Sequence, residues 1–78
     1  MKLTVYSRLY CHLCEELLAR LEGLRAELGF EYEVLDVDED PALWARYHTL
    51  VPVLAAGGRE LCHHFLDEQV LRHYLEEA

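Results

Sequence analysis

The apolar positions fall into seven stretches, and their spacing assigns each to a strand or a helix. KLTVYS (2–7) is short and β-rich and ends at Arg8, which predicts a strand. From His12 to Leu28 the leucines 13, 17, 21, 24 and 28 recur at helical spacing, and Gly29 suits a left-handed C-terminal cap. FEYEVLDV (30–37) starts with Phe30, Tyr32 and Val34 on one side and Glu31 and Glu33 on the other, then becomes more continuously apolar, a second strand. Asp40 and Pro41 open a short helix in DEDPALWARYH, with Leu43, Trp44 and Tyr47 as its packing face. VPVLAA (51–56), Gly57-Gly58 and RELCHH (59–64) predict a hairpin with a two-residue turn. Asp67 caps EQVLRHYLEEA, with Val70, Leu71, Tyr74 and Leu75 on one face.

The order is therefore βαβαββα. A strand–helix–strand start forms a right-handed parallel unit, and the hairpin adds antiparallel strands. A four-stranded mixed sheet with three helices on its faces, an α/β domain covering 1–78, is the expected packing. At 78 residues the chain makes one domain and buries only about 60–65% of its unfolded surface. Its 53% hydrophobic content is enough for that core. Fifteen acids against seven bases give a net charge of −8, which argues against a nucleic-acid surface. No apolar run approaches the roughly 20 residues of a membrane span, and MKLTVYS is no signal-peptide core. A cytoplasmic monomer is expected.

The chemistry lies in YCHLCEE (10–16). Cys11 falls at the N-terminus of the long helix, where free backbone N–H groups and the macrodipole favour a thiolate. The dipole is worth up to about 2 kcal/mol, enough to lower a thiol pKa by about 1.5. Cys14 lies one turn on, within disulfide reach. Arg8 supports a thiolate at Cys11, whereas Glu15 and Glu16 oppose it; His12 is a candidate for tuning the pair. Three readings are open: a redox couple, ligands of a zinc ion or iron–sulfur cluster, and two inert core residues. The odd count of three cysteines in a reducing compartment disfavours a structural disulfide scaffold and favours redox. A metal site would draw on Cys62, His63 and His64, but successive strand residues point to opposite faces. Those histidines border the site if the hairpin sets its second strand beside Pro52, while Cys62 reads as a small strand residue. Tyr6 and Tyr10 flank the pair as possible groove residues.

LTVYSRLYCHLCEE, VDEDPAL and VPVL with its Gly-Gly turn together resemble the glutaredoxins, especially short glutaredoxin-like proteins with a CHLC motif. The resemblance covers nearly the whole chain. It implies a minimal thioredoxin fold and thiol–disulfide exchange, with Cys11 as nucleophile and Cys14 as resolving thiol. It also implies a cis Pro52, with Val51 offering backbone hydrogen bonds to substrate. Arg8, His12 and Asp67 complete the expected substrate-binding set. No cofactor is expected. The expected partners are a disulfide-containing protein or small thiol substrate and an external dithiol reductant. Where glutaredoxins carry Pro-Tyr between the cysteines, this chain has His12-Leu13. Where they carry threonine before Val-Pro, it has Leu50. Where they carry a Gly-Gly floor, it has Cys62-His63. These departures predict weak specificity for glutathione.

Overall fold

The computed structural model describes residues 2–77. Its order is β1 (Lys2–Ser7), α1 (His12–Leu28), β2 (Glu31–Asp36), a 3₁₀ turn (Val37–Glu39), α2 (Pro41–Tyr47), β3 (Val53–Ala56), β4 (Arg59–His63) and α3 (Glu68–Glu77). The sheet order is β2-β1-β3-β4. β1 and β2 run parallel, and the other two pairs are antiparallel. This is the four-stranded mixed sheet expected from the βαβαββα pattern and the thioredoxin-like architecture that the resemblance implied, with strand ends trimmed by one or two residues and an added 3₁₀ turn.

Alternation along the central strands divides the interior. Leu3 and Val5 of β1, with Leu54 and Ala56 of β3, meet Leu17 and Leu21 of α1 and Leu71 of α3 in the larger cluster. The opposite face carries a smaller cluster of Val37, Tyr47 and Val53, edged by Tyr6, Leu43, Leu50 and Val51. Tyr6 stacks on Tyr47 with ring centroids 4.2 Å apart. Burial and the Tyr47 phenol push the Tyr6 hydroxyl above its usual range.

Helix ends follow the local chemistry. Gly29 adopts φ 72° and donates its N–H to the Arg25 carbonyl. Asp40 accepts from the N–H groups of Ala42 and Leu43, and Asp67 accepts from Val70 N–H at 3.1 Å. Gly57 and Gly58 both have positive φ, the backbone that a tight two-residue hairpin demands.

Three expectations need correction. Trp44 does not join the packing face of α2. Leu43 and Tyr47, one turn apart, face the sheet, and Trp44 is rotated away to stack on His48 at 3.9 Å. Val34 and Leu35 are exposed because β2 is an edge strand with only one neighbour. In β4, Leu54 pairs with Cys62 but Ala55 with Glu60, so Leu61 is the extra residue of a bulge. The bulge breaks the alternation of faces, and both Leu61 and Cys62 pack against the larger cluster.

Candidate functional site

β1 ends at Ser7, and a four-residue loop delivers Cys11 to the N-cap of α1. The loop turns through Tyr10, whose φ of 57° is unusual for a residue with a side chain. Cys11 is half-buried, whereas Cys14 is 1% exposed. The two sulfurs are joined in a disulfide, with Cα atoms 5.2 Å apart. The Cys14 N–H donates to Cys11 Sγ at 3.2 Å. One N–H of the helix end that has no backbone partner is therefore aimed at the Cys11 sulfur, a contact that would favour negative charge there.

The antiparallel pairing of Tyr6 with Val53 brings the start of β3 to the same end of the sheet as the cysteine loop. There the Val51–Pro52 peptide bond is cis, as the family resemblance implied, and Pro52 is fully buried. Val51 is partly buried at the edge of the smaller cluster. Its N–H is already taken by the Tyr47 carbonyl at 3.1 Å. Its carbonyl accepts no hydrogen bond among the described residues.

The charged candidates are occupied. Arg8 Nε donates to Asp38 Oδ2 at 3.1 Å. That carboxylate offsets the positive charge that the sequence assigned to the thiolate. His12 Nε2 lies 3.0 Å from Glu16 Oε1 with a mostly exposed ring, so it turns along the helix surface. Asp67 uses one carboxylate oxygen to cap α3.

The three residues of the CHH segment take different partners. Cys62 packs inward, and burial pushes its thiol above the ordinary range. His63 Nδ1 lies 2.7 Å from Glu60 Oε2. His64 meets the His63 ring edge-on, centroids 4.9 Å apart, but takes different partners, with Nε2 3.0 Å from the Thr49 carbonyl oxygen and its backbone N–H donating to the Pro52 carbonyl. Among the described residues no three of Cys, His, Asp and Glu cluster in a way that could hold a metal ion. Sequence reasoning missed the Arg8–Asp38 pair and the left-handed φ of His64. The acidic run VDED hinted at the first, and nothing local signalled the second.

The match to a family model described as Glutaredoxin-like domain (DUF836) spans residues 2–76. The chain belongs to that family. This glutaredoxin-like protein is 34% identical to an uncharacterized protein of Mycobacterium tuberculosis, over 85% of this chain and 73% of that one. A Nitrosomonas europaea protein solved by NMR is 45% identical, with a TM-score of 0.84, covering 94% of this chain and 88% of that chain. Thioredoxin 1 of Thermosipho africanus, 21% identical, shares the fold with a TM-score of 0.66 over 99% of this chain and 97% of its own. No helix among the described residues is long and apolar enough to cross a membrane.

Proposed function

We propose that this glutaredoxin-like protein is a dithiol thiol–disulfide oxidoreductase. The observation that carries the reading is the asymmetry of the pair: a half-buried Cys11 at the helix N-cap, and Cys14 sealed one turn behind it. In the reduced protein the Cys11 thiolate attacks a substrate disulfide. The substrate S–S bond breaks, one substrate sulfur leaves as a thiolate and takes a proton, and the other forms a mixed disulfide with Cys11. Cys14, deprotonated, then attacks Cys11 Sγ. That releases the second substrate thiol and closes the Cys11–Cys14 bond. Two electrons have moved from the protein to the substrate, and an external dithiol returns them by the reverse exchange.

A protein disulfide is the substrate class best matched to the surroundings. Leu9 and Tyr10 are strongly exposed on the loop that leads into Cys11, and Phe65 is strongly exposed on the β4–α3 loop beside a hollow shared with α1, together apolar contact area near the cysteine helix. The Val51 carbonyl is a free acceptor for a substrate backbone N–H, with the Val51 N–H already engaged. Docking through Arg8 or His12 requires each to exchange its present carboxylate partner for substrate. A reducing compartment with a dithiol system suits this cycle.

Glutathione is a poor match as donor. Cys62 and His63 stand where glutaredoxins keep a glycine floor. The net charge of −8 adds repulsion toward an anionic tripeptide, small beyond a screening length of about 8 Å. The test is to oxidise the pair and compare its reduction by glutathione with that by a thioredoxin-reductase-coupled dithiol. Rapid reduction by the dithiol alone is expected. Fast, saturable turnover with glutathione would overturn the donor assignment, and no reduction by either would overturn the exchange reading.

A further inference from the structure

The segment Thr49–Pro52 joins α2 to β3, and its backbone is pinned from two directions. From α2, the Tyr47 carbonyl accepts from Leu50 N–H at 2.8 Å and from Val51 N–H at 3.1 Å. From the other direction both contacts come from His64. Its backbone N–H donates to the Pro52 carbonyl at 2.8 Å, and its ring Nε2 lies 3.0 Å from the Thr49 carbonyl oxygen. A carbonyl can only accept, so Nε2 carries the proton and donates. These two carbonyls flank the free carbonyl of Val51 in sequence.

His64 makes these bonds from a φ of 64°, a region that residues with a Cβ seldom occupy. Together with Leu13, Glu16 and Leu17 of α1 it lines a hollow of about 60 Å³. One residue in a disfavoured backbone state thus holds the Val51 segment from a position across a small hollow from the helix that carries the cysteines. A surface strand end requires neither the ring contact nor this conformation.

We propose that His64 is a positioning residue that fixes the Val51 carbonyl relative to the cysteine pair and so sets the affinity for extended disulfide substrates. The proposal rests on the exchange reading above. A segment held in place before binding loses less freedom when a substrate chain docks on it. A small disulfide that reaches only the Cys11 sulfur does not use that carbonyl and is indifferent to the clamp.

The experiment compares His64→Leu with His64→Gln. Both side chains meet the same backbone demand, but only glutamine places an amide donor as many bonds from Cα as Nε2. Each reduced variant is assayed against a peptide disulfide flanked by residues on both sides and against bis(2-hydroxyethyl) disulfide. Loss of the ring donor should raise KM for the peptide roughly three- to tenfold, with kcat unchanged. The small disulfide should be unaffected, and His64→Gln should stay within about twofold of wild type on both. Hydrogen exchange of the Val51 amide, measured on the same proteins, should quicken in His64→Leu and recover in His64→Gln. Wild-type KM and amide exchange in both variants would overturn the proposal, and so would equal impairment of both variants or equal losses on both disulfides. If the wild type turns over neither disulfide, the exchange reading fails, whereas the Val51 amide still decides whether the clamp exists.

Discussion

The two faces of the sheet are built differently. On one, α1 and α3 cover a broad aliphatic cluster centred on Leu3, Val5, Leu17, Leu21, Leu54 and Leu71. On the other, α2 covers only Val37, Tyr47 and Val53, with Tyr6 stacked at the margin. The broad face holds the cysteine helix against the sheet. The narrow face supports the Val51–Pro52 segment. The chain therefore spends most of its apolar residues on a rigid base for the disulfide and few on the edge proposed to receive substrate. That edge is held chiefly by hydrogen bonds from Tyr47 and His64. The difference teaches that the core and the edge proposed to receive substrate rest on separate groups and can be perturbed separately.

The largest effect is expected on the broad face. Leu21 is fully buried, and Leu21→Ala leaves a cavity beneath α1. It should cost about 2–5 kcal/mol in denaturant unfolding, with exchange chemistry intact at temperatures where the variant is folded. A smaller cost, with activity abolished, would contradict the division of labour. On the narrow face, Tyr47→Leu keeps an apolar, though smaller, side chain and loses the stack on Tyr6. A loss of about 0.5–1.5 kcal/mol is expected, together with weaker binding of peptide disulfides. If Tyr47→Leu matches Leu21→Ala in stability cost and leaves peptide binding untouched, the two faces do not differ in the way described.

The smallest effect concerns Cys62. Its raised thiol pKa keeps it protonated to higher pH than an ordinary cysteine. Alkylation of the reduced protein at increasing pH should label Cys11 first and Cys62 only above the ordinary thiol range. Cys62→Ala should leave the exchange rate within about twofold, as a half-buried packing residue allows. Labelling of Cys62 ahead of Cys11 would make it a redox participant.

The fold was legible because its signals are local and repeated. The leucine stripe from 13 to 28, the Asp40-Pro41 start and the Gly57-Gly58 turn each constrain the backbone by themselves. The cysteine pair was legible for the same reason, since its spacing and its place before a helix are sequence properties. Contacts between distant residues were not. Arg8 and Asp38 are thirty positions apart, and His64 and Thr49 fifteen. The bulge at Leu61 arises from how β4 meets β3, and the exposure of Val34 from the edge position of β2. The sequence offered Arg8 as support for a thiolate at Cys11, and in the structure its guanidinium is paired with Asp38. A sequence gives the cation, but only the folded chain gives its carboxylate.

The most direct test of the account is to trap the exchange intermediate. Reduced Cys14→Ser is mixed with an activated peptide disulfide near neutral pH, and the adduct is mapped by mass spectrometry. The account predicts one peptide per chain, on Cys11, released by a dithiol, while wild type passes to the closed Cys11–Cys14 bond without accumulating adduct. An adduct on Cys62, or none on Cys11, would contradict it.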